Sequence, residues 1–448
     1  MKTHVETVLK AHPEIATIEL VFPDMNGVPR GKHLPVDQVD KMFGKVRLPL
    51  SSYQLDILSQ DTADSGHAIE KGDPDGCGHV IGFGPAIWRD ARHAVALMTM
   101  TTLEGEPAPL DPRQALARVV ERFRRKGLTP VVAPELEFYL MDARRDPGGR
   151  GQPPVSPLTG DRLSEAQIYR LGVQEPFVPI LEDIRIAALA LGAQADVALA
   201  EFGPGQFEIN LAHTPDALSA ADQAILLKLA IRGVARANGM EACFMAKPYG
   251  DQSGSGLHFH ISMLDETGAN VFSSGVEGEL NTPLAGAVAR LQETMAASTL
   301  IFAPHLNSYR RLAPGSYAPV VAAWGLDNRG TALRVPATAG KAARVEHRVP
   351  GADANPYLAL AVILQAIYEG LEGGDPGDPV EGEANEAHGD LLPLGWGRAV
   401  AAFEGNPFVE RALGAELARV YALMKKQEMD GLRARVTDVE YDIYMRTL

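Results

Sequence analysis

The amino-acid sequence predicts a two-domain chain of mixed strands and helices, and three observations carry that expectation. Two strand-like runs, residues 15–25 and 28–36, meet at Asn26-Gly27, a pair that favours tight hairpins because both positions tolerate positive φ. Asp111-Pro112 combines a capping side chain with a proline suited to the first helical position, and the helix it opens stops at Gly127. Directly afterwards, residues 131–140 form an apolar run of β-branched and aromatic residues, bounded by Pro130 and a polar stretch. The domain boundary is placed near residue 108, dividing the chain into 1–108 and 109–448.

In chain order, residues 1–10 suit a short amphipathic helix and residues 36–43 another. Glycine, aspartate and proline dominate residues 50–91, which read as loop, before a strand over 94–101 and a linker over 103–109. After the 131–140 strand, residues 144–163 read as a Pro/Gly loop and 165–171 and 176–191 as helices, the second ended by Gly192. A long helix over 216–238 closes at Gly239, and others are expected over 284–300, 359–369, 397–404 and 406–426. Residues 370–390 are acidic and rich in glycine and proline, and read as an exposed loop. No internal repeat is present.

At 448 residues, with 46% hydrophobic and 22% charged residues, the composition is that of an ordinary globular protein long enough for two domains. The net charge of −15 argues against a nucleic-acid partner and permits a cationic one. Two cysteines, Cys77 and Cys243, make neither a disulfide framework nor a thiolate metal site. The N-terminus lacks the apolar core of a signal peptide and no run of 18 apolar residues occurs, so a cytoplasmic chain without a membrane partner is expected.

The chemistry gathers on the 131–140 strand. Alternate side chains share a face, so Glu135 and Glu137 point one way and Leu136 and Phe138 the other. Neighbouring carboxylates repel and are costly to bury without a cation, which suggests a divalent metal; a wet edge strand would explain the pair equally well. Four further fragments add residues of the same kind. Glu201 and Glu208 flank a Gly203-Pro204-Gly205 turn, and the glycine-rich segment 253–262 runs into a strand where His258 and His260 share a face. Residues 343–349 place Glu346 and Arg348 together, and residues 309–335 carry Arg310, Arg311, Arg329 and Arg334. No Gly-Lys-Ser/Thr follows the glycine-rich loop, so it is not a nucleotide P-loop.

Taken singly, each fragment could be a turn, a structural histidine or solvated arginines. Together, five carboxylates and one imidazole make two oxygen-rich divalent sites suited to Mg2+ or Mn2+. The arginines add what phosphoryl transfer requires, and planar guanidinium forks also grip carboxylates. No Ser–His–Asp or Cys–His nucleophile system is evident. Phosphate activation of a carboxylate, followed by attack of an amine, fits this inventory better than hydrolysis.

These fragments resemble the glutamine synthetase family. The resemblance rests on Pro134-Glu135-Leu136-Glu137-Phe138, Glu201 separated by six residues from Glu208, Gly254-Ser255-Gly256-Leu257-His258 and Asn307-Ser308-Tyr309-Arg310-Arg311. It continues through Asp327-Asn328-Arg329, Arg344-Val345-Glu346-His347-Arg348 and Asn355-Pro356-Tyr357. It implies an α+β fold: a small N-terminal β-grasp-like domain and a large catalytic domain with a curved antiparallel sheet flanked by helices. It further implies a homo-oligomer, a double hexameric ring with sites shared between subunits, and ATP with two or three Mg2+ (or Mn2+) ions. Matching positions imply that Glu137, Glu201 and Glu208 hold one metal and Glu135, His258 and Glu346 the other. Arg311 and Arg348 would hold the carboxylates of L-glutamate, with Gly254 beside its amino group. Arg329, Arg334 and Arg344 would meet the ATP phosphates, and Lys341 and Ser262 would lie near the nucleotide.

Two departures from the family pattern bear on the nitrogen nucleophile. Ammonia-using members have a flap reading Pro-Gly-x-Glu-Ala-Pro, whereas here Pro314-Gly315-Ser316-Tyr317-Ala318-Pro319 puts Tyr317 at the glutamate position. The family's Asp-Gly-Ser-Ser has no match in residues 48–56. An amine needs room and an apolar or aromatic wall, while ammonium needs compact anionic partners. The opening Phe22-Pro23-Asp24-Met25-Asn26-Gly27-Val28-Pro29-Arg30-Gly31-Lys32 is similar to that of γ-glutamylpolyamine synthetases, including the putrescine enzymes. The expected activity is therefore ATP-dependent ligation of the glutamate γ-carboxylate to an amine. Ammonia as nucleophile and an inactive structural or regulatory member are the alternatives.

Overall fold

The Asn26-Gly27 hairpin forms, joining β1 (Thr17–Pro23) to β2 (Pro29–Pro35) in an antiparallel pair. Only Gly27 takes positive φ, at +73°. The turn is instead stitched by Asp24, whose Oδ1 accepts from the backbone of Asn26 and Val28 at 2.9 Å each. The computed structural model describes all of residues 1–448.

Loop was expected across residues 50–91, and this is corrected by an eleven-residue strand, β4 (Asp75–Pro85), which pairs with β3 (Phe43–Pro49) and β5 (His93–Thr101). Its glycines obscured it, and they have a packing reason. A Cβ on Gly84 would sit 2.1 Å from the carbonyl oxygen of Ala190, so a helix end lies directly on the strand. The N-terminal sheet runs β2-β1-β5-β4-β3, with a central parallel β1/β5 pair and antiparallel neighbours, a β-grasp-like arrangement.

The second sheet begins with β6 (Thr129–Asp142), preceded by the helix Pro112–Arg125 whose cap Asp111 accepts from the Arg113 amide at 2.9 Å. It continues with β7 (Ala195–Ala200), β8 (Gln206–Leu211), β9 (Met240–Cys243), β10 (Leu257–Leu264), β11 (Trp324–Leu326), β12 (Leu333–Ala337) and β13 (Arg344–His347). Strand order is β11-β12-β13-β10-β6-β8-β7, with β9 pairing only β6. Helices Val178–Ala190, Ala217–Ala237, Thr282–Phe302 and Pro356–Gly370 flank it, and one continuous apolar core links both sheets to them. The buried Asn355 caps the last of these helices through its Oδ1. Its Nδ2 reaches back to the Asp24 carbonyl at 2.9 Å, tying the first hairpin to that helix.

Three further expectations are corrected. Residues 165–170 are turns followed by one helical turn, Leu171–Gln174, because their backbone hydrogen bonds go to β7 and its following turn. The helix expected over 406–426 breaks into Pro407–Leu413 and Ala415–Arg433 at Gly414, whose φ of +85° no helix accommodates. Strands β3, β7, β9, β11 and β12 were not anticipated; β7 and β9 are short and rich in alanine or polar residues. No helix is long and apolar enough to cross a membrane.

Candidate active site

Strand pairing builds the site residue by residue. Arg334 on β12 lies opposite Glu346 on β13, Glu346 opposite His260 on β10, His258 opposite Glu135 on β6, and Glu137 opposite Glu208 on β8. Side chains at opposing positions share a sheet face, so period-2 alternation on each strand becomes one polar patch across five strands. Glu201 joins it from the end of β7, where its amide donates to the Gln206 carbonyl at 3.0 Å.

The distances are short. Glu135 Oε1 is 2.8 Å from His260 Nε2, and Glu135 Oε2 is 3.7 Å from His258 Nδ1. His258 also lies 3.9 Å from Glu137 Oε1 and 3.8 Å from Glu346 Oε1. Glu346, fully buried, accepts from Arg334 Nη1 at 2.7 Å and from Arg348. Two triplets bring donor atoms within 4.8 Å of one another: Glu135, Glu208 and His258, and Glu135, His260 and Glu346. Glu135 is common to both. Glu137 instead receives the Gly256 amide at 2.9 Å and Gln206 Nε2 at 3.3 Å on one oxygen.

The charges are unevenly balanced. Burial, with Glu137, Glu135 and Glu201 nearby, pushes the Glu208 carboxyl up to about 10. Burial and Glu137 likewise raise Glu201 to about 7. Burial would raise Glu346 too, but Arg348, His260 and His258 outweigh it and hold the carboxyl at about 2. His258 and His260 similarly overcome burial at Glu135 and hold it far below the usual range. The Glu208 end thus lacks positive charge, and a divalent cation of the oxygen-preferring kind suits the donor set.

Glycines allow the close approach. A Cβ on Gly254 would lie 2.6 Å from the Ala246 carbonyl oxygen and 2.7 Å from Arg311 Cγ, and one on Gly256 would lie 2.5 Å from His258 Nε2. Arg311 is buried and donates to the carbonyls of Val349 at 2.7 Å and Arg348 at 3.2 Å.

Most of these residues line a cavity of about 560 Å³. Of the expected site residues it gathers Glu135, Glu137, Glu201, Glu208, Gly254, His258, Arg311, Tyr317, Arg329, Arg334, Glu346 and Arg348. Tyr317 is 85% exposed with φ +57°, an uncommon backbone for an aromatic residue, beside Gly315 at +73°. Three expected residues stand outside the lining. Ser262 follows His260 by two on β10, opposite Val131. Arg344 reaches the other side of His260, Nε to Nδ1 at 3.1 Å, and Lys341 is exposed in the turn Gly340–Ala342.

The cavity also recruits residues that the sequence reading did not assign. His260, which bonds Glu135 from beside the lining, had a signal, sharing a face with His258. Gln206 and Asn210 flank Glu208 at alternate positions of β8, but polar residues at those places carry no signature of their own. Ile168, Tyr169, Leu199 and Phe202 are ordinary residues whose convergence depends on the fold.

An acidic, imidazole-bearing cluster beside guanidinium groups, set in a sheet that is antiparallel except for its β11/β12 pair, suits phosphoryl activation, and comparison with known proteins names the class. Residues 109–444 match the family described as glutamine synthetase, catalytic domain; the chain belongs to the glutamine synthetase family and is an ATP-dependent ligase. Among its relatives, the γ-glutamylputrescine synthetase PuuA of Escherichia coli is 39% identical over 441 residues, 98% of this chain and 93% of that one. The glutamate–isopropylamine ligase of a Pseudomonas species is 32% identical over 456 residues, covering 96% and 95%. A solved GmaS/ADP complex superposes with a TM-score of 0.83 at 27% identity, covering 98% of this chain and 99% of that chain, so the α+β expectation holds.

Proposed function

We propose that this chain joins the γ-carboxylate of L-glutamate to the nitrogen of an alkylamine of the putrescine class. One observation carries the reading: the charged residues share their cavity with Tyr317, which stands where the ammonia-using pattern Pro-Gly-x-Glu-Ala-Pro of the family has its glutamate. A γ-carboxylate oxygen attacks the γ-phosphorus of ATP, ADP departs, and γ-glutamyl phosphate results. The amine nitrogen then attacks the acyl carbon, the C–O bond to phosphate breaks, and the nitrogen gives up its proton.

Arg311 and Arg348 hold the glutamate carboxylates, with Gly254 beside the amino group. Arg329, Arg334 and Arg344 meet the phosphates, and Lys341 and Ser262 lie toward the nucleotide. Arg311 is aimed by two backbone carbonyls and Arg334 by Glu346 and Asp327, so both forks are pre-set. Glu135, Glu208, His258 and Glu346, with His260 in reach of the Glu346 side, would hold divalent cations, and Glu137 and Glu201 complete the set of ligands that the family resemblance implies for two or three Mg2+ or Mn2+ ions. Bound there, such ions neutralise phosphate oxygens and polarise the reacting phosphoryl group. The division of the chain near residue 108, a ring of subunits that shares its sites and a cytoplasmic location belong to the same reading.

Phosphate release from ATP and glutamate, measured across putrescine, spermidine, ethanolamine, isopropylamine and ammonium, tests it. An amine should exceed ammonium in kcat/KM by tenfold or more; turnover with ammonium alone would overturn the proposal.

A further inference from the structure

The cavity is graded. All its apolar lining residues come from three short stretches, Ile168-Tyr169, Leu199 with Phe202, and Tyr317-Ala318; every other lining residue is polar, charged or glycine. The charged set includes the buried Glu208, His258, Arg311 and Glu346, whereas Ile168, Tyr169 and Phe202 are 42%, 68% and 41% exposed. Single exposed apolar residues are commonplace, but three gathered at the mouth of one polar cavity make a surface that a ligand's hydrocarbon part would cover.

That surface is built rather than incidental. Gln167 is 1% exposed and locks it from behind. Its backbone amide donates to the Phe202 carbonyl at 3.0 Å and its Nε2 to the Gln206 carbonyl at 2.6 Å, while its Oε1 accepts from Gly205 at 3.2 Å. The Tyr169 amide donates to the Ala200 carbonyl at 3.3 Å, and Tyr169 itself is held at φ +53°. A non-glycine residue in that region is kept there by its surroundings, and such residues gather at ligand sites. Gln206 extends the linkage inward, donating to Glu137 Oε2 at 3.3 Å and to the Gly254 carbonyl at 3.0 Å. The apolar stretch is thereby fixed in register with the charged floor.

We propose that Ile168, Tyr169, Leu199 and Phe202 form a wall that binds the alkyl chain of the amine and sets the preferred chain length, and that Gln167 is its positioning residue. The inference rests on the amine reading above and extends it to a part of the cavity that the flap does not include. Ammonium has no carbon for such a wall to cover. A chain laid along it loses water from each methylene in turn, which predicts kcat/KM rising about fourfold per CH2.

The test is the series ammonium, methylamine, ethylamine, propylamine and butylamine with saturating ATP and glutamate. From methylamine to butylamine, the unmodified enzyme should gain about sixtyfold. Phe202→Ala and Ile168→Ala should each flatten that gain to about tenfold or less. Gln167→Ala should flatten it as well, an effect that a merely structural residue, lowering every rate alike, would not have. Should Phe202→Ala fail to fold, Phe202→Leu is expected to give an intermediate slope. Amine turnover with no chain-length gradient, or with the same gradient in all variants, overturns the wall and leaves the amine reading standing. Turnover of ammonium alone overturns the amine reading itself.

Discussion

Adding Mg2+ to the metal-free protein should displace protons in a countable number. Glu208, pushed up to about 10 by burial and by Glu137, Glu135 and Glu201, holds close to one proton at pH 7.5. Glu201, raised to about 7 by burial and Glu137, holds a fraction of another at that pH. A cation bound among these oxygens requires both carboxylates ionised, so binding should release between about one and two protons per chain. Because proton and metal compete, apparent affinity should climb about tenfold per pH unit between pH 7 and 8.5, the sign being fixed by a raised carboxyl value in the metal-free state. Calorimetric titration in HEPES and in Tris, whose ionisation heats differ, counts the protons directly. Glu208→Gln should cut the release by about one proton and flatten the pH dependence. A release below about 0.3 in the unmodified protein, or one that the substitution leaves alone, would refute the electrostatic account of the floor.

Glu346→Gln removes a fully buried carboxylate whose value is held at about 2, which corresponds to about 3 kcal/mol of stability. Since the folded value is depressed, that stability is present above about pH 4.5 and lost as pH falls through 2; the gap in thermal midpoint between the proteins should close over that range. Glu135→Ala should lower phosphate release more than about a hundredfold while the circular dichroism spectrum is retained; normal turnover would remove Glu135 from the metal set. Tyr317→Glu should raise the ammonium-to-amine ratio of kcat/KM, and an unchanged ratio would discount the flap argument. Lys425 and Glu428, both wholly buried and 2.9 Å apart, meet Asn26 of the first hairpin. Lys425→Met should destabilise by about 3 kcal/mol, and adding Glu428→Leu should recover most of it; additive losses in urea unfolding would contradict the pairing.

Much of the site was legible because it is written in local periodicity. Glu135 and Glu137 alternate with Leu136 and Phe138 on one strand, His258 alternates with Phe259, and the glycines before His258 mark a close backbone approach. The long helices expected over 216–238 and 359–369 were equally readable, while their caps, Asp216 and Asn355, emerged only in the structure. Where glycine served packing rather than turning, as at Gly84 on β4, the same rules pointed the wrong way.

The residues themselves determined the chemistry. Side-chain type and spacing of two set which carboxylates, imidazoles and guanidiniums share a face, and that holds for any strand carrying them. Only the tertiary structure decided how those faces meet. Cross-strand register set His260 opposite Glu346, bringing it within ligand distance of Glu135 and Glu346, and made Glu135 common to both donor triplets. Buried hydrogen bonds from Gln167 carried Ile168 and Tyr169 to Phe202, more than thirty residues along the chain. Register and long-range burial are properties of pairs of segments, so a reading that runs along one segment at a time has no access to them.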